Sequence, residues 1–278
     1  MKVIKAEYAG ACYGVQRALD LAEASIADGD KASTLGPLIH NPQVVSALAD
    51  AGVKVVDTVD EVDDGIVIIR SHGVTPRIKA AAEARGLPIV DATCPHVARA
   101  QKAAAALAQA GCFVIVVGEA GHPEVEGLCA YAEEQGASVV VVSGIGDIPT
   151  TLPEPVGIVV QTTQARETLD EVIAALKSRG IDPVVKNTIC FATRQRQDAA
   201  AALADKADAF VIIGGRNSSN TTRLYDICKA TCEKSFHIEM PEEIDPAWFE
   251  GCSAIGVSAG ASTPEDQIDA VVAKLEAL

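Results

Sequence analysis

Short β-branched runs alternate with Ala-rich stretches along the whole chain. The runs predict strands at Lys2–Ala6, Val53–Val56, Ile66–Arg70, Ile89–Val90, Phe113–Val117, Val139–Val142, Gly157–Val160, Ala209–Ile213, Phe236–Glu239 and Ala254–Val257. Helices are predicted between them, at Gly14–Ala27, Asn41–Ala51, Pro76–Arg85, Val97–Ala110, Thr168–Arg179, Thr193–Lys206, Ser219–Thr231 and Pro264–Leu278. Strand, loop and helix in repetition is the pattern of parallel sheets with right-handed crossovers. No Gly/Ser-rich linker interrupts it, and TTLPEPV at 150–156 reads as a connector.

Composition sharpens this picture. Hydrophobic residues make up 49% of 278 residues but aromatics only 4%, so the core must be aliphatic, as in parallel sheets covered on both faces. The formal charge is −15, a field that repels nucleic-acid phosphates and anionic lipid. The apolar runs are too short to span a bilayer, and MKVIKAEYAG lacks the features of a secretory signal, so a cytoplasmic protein is expected. Eight cysteines in a chain with an ample core, with no Cys-x-x-Cys pair, argue against a disulfide scaffold or a zinc ribbon. Cys228 and Cys232, one helical turn apart, read as packed helix residues. Neither Gly-x-Gly-x-x-Gly nor Gly-x-x-x-x-Gly-Lys-Ser/Thr occurs.

The residues that carry chemistry recur at corresponding places. Cys12, Cys94 and Cys190 each fall in a short loop between a strand-like segment and an Ala-rich helix. His40, His72 and His122 each sit in a Gly- or Pro-bounded turn before a helix; His96 and His237 lack the Gly-bounded turn and read as structural. Loops of this kind gather outside the carboxyl ends of parallel strands, where open α/β sheets bind ligands. The fold expected is therefore α/β: three small parallel-sheet units, 13–95, 96–191 and 192–278 with strand 1–12, in pseudo-threefold arrangement around a central site. Three thiolates from distant segments could hold a [4Fe–4S] cluster with one iron open, or could be unrelated loop cysteines. Imidazoles and helix N-termini suit an anion such as a diphosphate. Asn217–Asn220 and Ser258–Ser262, each after a strand, look like phosphate cradles, although helix capping accounts for one residue of the first. Glu124, two residues from His122, is a candidate general acid or an ordinary first-turn glutamate. Thr162 is a candidate proton relay or a strand-end hydroxyl.

Together these stretches resemble the 4-hydroxy-3-methylbut-2-enyl diphosphate reductase family, known as LytB/IspH. The resemblance rests on Gly10-Ala-Cys-Tyr-Gly-Val-Gln-Arg-Ala18, Gly36-Pro-Leu-Ile-His-Asn-Pro-Gln-Val-Val45, Arg70-Ser-His-Gly-Val74 and Asp91-Ala-Thr-Cys-Pro95. It continues through Gly121-His-Pro-Glu-Val-Glu-Gly127, Gln161-Thr-Thr163, 187–197 around Cys190, Asn217–Asn220 and Ala259–Ser262, in order along the chain. It implies one [4Fe–4S] cluster per chain held by Cys12, Cys94 and Cys190. It also implies a diphosphate bound by His40, His72, His122, Ser218, Ser219, Asn220 and Ser262, with Glu124 as proton donor and Thr162 touching substrate. The implied reaction is reductive dehydroxylation of the allylic alcohol diphosphate to isopentenyl and dimethylallyl diphosphate, the last step of the non-mevalonate isoprenoid pathway. Electrons would come from ferredoxin or flavodoxin. Tyr13, after the first cysteine, and Arg194-Gln-Arg196 depart from the family's usual residues. The competing readings are a cluster-bearing redox sensor without turnover, which has no use for Glu124, and a metal-free phosphosugar-binding module, which has none for the cysteines.

Overall fold

The structure is a computed structural model that describes residues 1–27 and 29–278. The chain opens with β1 (Lys2–Lys5) and α1 (Tyr13–Ile26). A first repeat follows as β2 (Ala32–Leu35), α2 (Pro42–Asp50), β3 (Val53–Val56), β4 (Ile66–Ile69), α3 (Pro76–Ala84), β5 (Ile89–Asp91) and α4 (Pro95–Gln109). A second runs as β6 (Phe113–Val117), α5 (Pro123–Glu133), β7 (Val139–Val142), β8 (Val156–Val160), α6 (Arg166–Ser178), β9 (Val184–Lys186) and α7 (Phe191–Ala204). The third is β10 (Ala209–Ile213), α8 (Ser219–Thr231), β11 (Ser235–Ile238), β12 (Ala254–Ala259) and α9 (Glu265–Glu276).

The result is three four-stranded, wholly parallel sheets, in the orders β3-β2-β4-β5, β7-β6-β8-β9 and β11-β10-β12-β1. All three share one topology. The first strand of each repeat is flanked by the second and third, and the fourth lies outside the third. In the third sheet that fourth strand is β1, brought from the other end of the chain to pair with β12 in the register Lys2↔Ala254 to Lys5↔Val257. Each second strand leads into a short 3₁₀ turn, at Val59–Glu61, Ile145–Asp147 and Pro241–Glu243.

Contacts gather the chain into two compact bodies. One comprises Met1–Gln16, His40–Val44 and Phe191–Leu278 and holds the sheet containing β1; the other comprises Arg17–Ile39 and Val45–Cys190 and holds the other two sheets. Aliphatic alternation buries both faces of the sheets. Val114 and Val116 of β6 pack with Leu107 and Leu128 of α4 and α5, while Ile115 and Val117 pack with Leu169, Val172 and Leu176 of α6. In the β1-containing sheet, Phe210 is fully buried against Gly256 of β12, where a Cβ would sit 2.4 Å from the ring.

Candidate functional site

The candidate ligand and substrate residues lie beyond the carboxyl ends of strands, in the loops after the first, third and fourth strands of the three sheets or in the first turn of the helix that follows. First-strand loops carry His40, His122 and the Ser218–Asn220 run. Third-strand loops carry His72, Thr162 and Ser262. Fourth-strand loops carry Cys94, Cys190 and Cys12.

The three cysteines are held alike. Each immediately precedes a helix: Cys12 before α1, Cys94 before α4 and Cys190 before α7. Each donates its backbone N–H to a carbonyl in the third-strand loop of its own sheet: Cys12 to Ala261 (3.1 Å), Cys94 to Ser71 (2.9 Å) and Cys190 to Thr162 (2.9 Å). Gly10, with φ +83°, supplies the left-handed turn into the first of these loops. All three are half-buried and unbridged at helix N-termini. The other five cysteines are also unbridged, but they sit in packing positions. Burial pushes the Cys129 thiol up to about 11 and Cys228 up to about 12, which keeps both protonated. Cys228 and Cys232 are buried together with Leu224 and Phe210, as the sequence suggested. Thiolates are suitable iron ligands, and Cys12, Cys94 and Cys190 stand at helix starts whereas the remaining five are packing residues.

Around Glu124 the larger body builds an acid site. Glu124 is only 1% exposed in the first turn of α5. Its Oε1 accepts the Thr162 backbone N–H at 2.6 Å, and its Oε2 lies 2.8 Å from Thr162 Oγ1. Burial raises the Glu124 carboxyl to about 7, against the two Thr162 hydrogen bonds that favour its charge. His122 caps the same helix: its Nδ1 accepts the Glu124 N–H at 3.1 Å, which leaves the proton of a neutral ring on Nε2. The His72 ring lies edge-on to His122, with centroids 5.5 Å apart.

In the smaller body, Asn41 is completely buried. It caps α2 by accepting the N–H groups of Gln43 and Val44 (3.1 and 3.2 Å), and it donates to Ser262 O at 2.9 Å and Gln267 Oε1 at 3.0 Å. Ser262 Oγ in turn donates to His40 O at 3.0 Å, so the His40 and Ser262 loops are locked together. Ser218 caps α8, accepting from Thr221 N–H. Asn220 is only 4% exposed, yet neither its amide oxygen nor its amide nitrogen has a partner among the described residues. A buried amide left unsatisfied is uncommon and calls for an explanation, such as a ligand.

Several supporting residues escape sequence reasoning. Gln161, 1% exposed, accepts from Glu119 N–H (2.9 Å) and donates to Thr163 Oγ1 (3.1 Å), tying the loop before His122 to the loop of Thr162. Arg196 donates from Nε and Nη2 to Gly10 O (3.0 and 2.7 Å), clamping the turn before Cys12. Arg17 reaches Thr93 O and Asp91 O, both at 3.3 Å, before Cys94. Asn41 and Gln161 lie inside recognisable motifs, but only the paired loops reveal what they bind. His237, read as structural, bonds Gly214 O through Nε2 at 2.8 Å.

The sequence model of the LytB protein family matches residues 3–276. A 4-hydroxy-3-methylbut-2-enyl diphosphate reductase of Geotalea uraniireducens is 46% identical, covering 99% of this chain and 97% of its own. One from Citrifermentans bemidjiense is 47% identical, covering 100% and 98%. A solved structure of (E)-4-hydroxy-3-methyl-but-2-enyl diphosphate reductase, described as the terminal enzyme of the non-mevalonate pathway, superposes with a TM-score of 0.73 at 44% identity, with 100% of both chains covered. The corresponding reductase of Plasmodium falciparum gives 0.91 at 25% identity, over 98% of this chain and 87% of that one.

Proposed function

The chain belongs to the LytB family, and we propose on that footing that it reduces 4-hydroxy-3-methylbut-2-enyl diphosphate to isopentenyl and dimethylallyl diphosphate. The allylic C–O bond breaks and the oxygen leaves as water, while two electrons and two protons enter and one C–H bond forms at either end of the allyl unit. Cys12, Cys94 and Cys190 would hold a [4Fe–4S] cluster with one iron lacking a protein ligand. Bound there, it would supply electrons one at a time and a Lewis-acidic iron to polarise the hydroxyl.

The protein's own groups bind the diphosphate and move the proton. His122 offers Nε2–H as a donor because its Nδ1 is engaged at the helix start. Together with His40, His72, Ser218, Ser219, Asn220 and Ser262, it would bind the phosphate oxygens and hold the reacting carbon in place. This local set of donors must capture the anion, because the −15 charge of the chain works against attraction at long range.

The single observation that carries the acid role is the Glu124–Thr162 pair. A backbone N–H can only donate, so Oε1 is always an acceptor; the proton of the neutral carboxyl must sit on Oε2 and face Thr162 Oγ1. The threonine hydroxyl then accepts from Glu124 and has its own hydrogen to pass on, which makes it a one-step relay to the departing oxygen. At about 7, the carboxyl is poised to give and recover that proton near neutral pH. The expected result for the anaerobically cluster-loaded protein is conversion of the substrate to the two five-carbon diphosphates under reduced methyl viologen. Loss of substrate without those products, or no loss at all, contradicts the assignment.

No helix among the described residues is long and apolar enough to cross a membrane. The electron donor we propose is a ferredoxin- or flavodoxin-type protein, and the working compartment the cytoplasm.

A further inference from the structure

We propose that the surface beside Cys94 is the docking site of an acidic electron-carrier protein, gripped by Arg17, Lys79, Arg99 and Lys102. The inference rests on the reductase reading above: that reaction consumes two electrons, and the chain has neither nicotinamide nor flavin motif with which to gather them.

The charge at this place opposes the charge of the chain. The protein carries 38 acidic residues, yet α4, which begins directly after Cys94, has none over Pro95–Gln109. Its exposed cations, Arg99 and Lys102, are three residues apart and so share one side of the helix. Arg17 lies against the chain just before Cys94, bonded to Asp91 O and Thr93 O. Lys79 of α3 sits 3.3 Å from Asp91 Oδ2. Asp91, paired with Lys79, and Glu134, near Tyr131, are acidic groups at this surface, with Asp20 and Glu83 on the helices that carry Arg17 and Lys79.

The shape suits a side chain of a partner. Lys79, Asp91, Thr93, Gln101, Lys102 and Tyr131 line a surface hollow of about 260 Å³. Two lysines in its lining are suited to a partner's carboxylate. Electron-transfer complexes are small and short-lived, and their encounter is steered by complementary charge. For an acidic carrier approaching a chain of −15, the approach is repulsive except where a local basic surface reverses the field. This one adjoins a proposed cluster ligand, where arriving electrons are used.

The test compares two electron sources. The cluster-loaded double variant Arg99→Glu/Lys102→Glu is assayed with reduced ferredoxin and, separately, with reduced methyl viologen. Both side chains are exposed, and circular dichroism verifies the fold. The expected outcome is at least a tenfold fall in kcat/KM for ferredoxin at low salt, with a flattened salt dependence. Turnover with viologen stays within twofold of the unsubstituted protein, and the ferredoxin Kd, measured by titration without substrate, rises about tenfold. Lys274→Glu, in the last turn of α9, makes a charge reversal away from the strands' carboxyl ends and leaves both assays unchanged. An unchanged ferredoxin kcat/KM in the double variant, or an equal loss with both reductants, overturns the docking site. Failure of the unsubstituted protein to turn over with viologen overturns the reductase reading itself.

Discussion

Glu124 concentrates two demands on a single side chain. It is buried, which holds its proton near pH 7, and it is bonded to Thr162, through which the proposed acid role would deliver that proton. Its pKa is higher folded than unfolded, so the folded state holds the proton while the unfolded chain releases it. Stability is therefore greatest below about 4.5, falls as pH rises toward about 7, and levels off above that; the span is about 3 kcal/mol. Glu124→Gln keeps both bonds, with the amide donating to Thr162 Oγ1, but cannot titrate. Its melting curves should lack that fall between the two values relative to the unsubstituted protein, and its turnover should drop on the order of a hundredfold or more. Diphosphate binding should change by about twofold or less. A variant that keeps turnover removes the acid role. Thr162→Val, which deletes only the relay hydroxyl, should lower kcat about tenfold or more, and Thr162→Ser should restore it. Asn220 presents the opposite case, a buried amide left unsatisfied among the described residues and proposed to bond the diphosphate. Asn220→Ala should weaken inorganic pyrophosphate binding about tenfold in a titration without lowering the melting temperature of the ligand-free protein, because it removes an unpaired buried amide. A lower melting temperature with unchanged binding would mark Asn220 as merely structural.

At the scale of elements, the strands that alternate or run apolar were legible, and the helices between them fell within a few residues of their predicted ends. Two strands were not. β2, Ala-Ser-Thr-Leu, is short and half polar, yet it is a central strand buried along its whole length. Its Ser33 and Thr34 look like loop residues until strands on both sides cover them. β9, Val184–Lys186, is a three-residue edge strand, too brief for a period to show. The helix α5, seeded by the His122-Pro-Glu turn, was visible only as a helix start, because Gly127 sits within it. Site loops were legible where a rare residue type recurs before helices, as the cysteines and histidines do. They were not legible where the role is to bind backbone carbonyls of a distant loop, as with Arg196, Arg17 and Asn41. Asn41 joins these scales, since one side chain starts α2 and holds the Ser262 loop. Asn41→Ala should cost about 2–4 kcal/mol of stability, from a lost cap plus buried bonds, read as a fall in denaturant midpoint. It should also weaken pyrophosphate binding. Unchanged binding would mean that the His40 and Ser262 loops are ordered by something else.

For the molecule as a whole, the sheet topology is the same three times, but the chain is cut at a different place in the third copy. In the first two copies α3 and α6 lead through short loops to the fourth strand, at β5 and β9. In the third, α9 ends the sequence, and the fourth strand is β1. Helices that follow parallel strands run back along the sheet, so the end of α9 lies at the edge where β1 begins. A loop as short as those after α3 and α6 is therefore enough to join Leu278 to Met1. A circular permutant with that join, opened instead between α1 and β2, should fold with a melting temperature within about 5 °C of the parent, since no ladder or core contact is lost. It should take up the same amount of iron and sulfide, because Cys12 keeps its bond to Ala261 and its place before α1. Deleting β1 outright should do the reverse. It bares the length of β12 as an unpaired apolar edge, Ala254–Ala259, and frees the segment that carries Cys12. That protein is expected to aggregate on expression, whereas the permutant remains monodisperse. A permutant that aggregates as readily as the deletion would show that the order of strands along the chain, and not only their final pairing, is required.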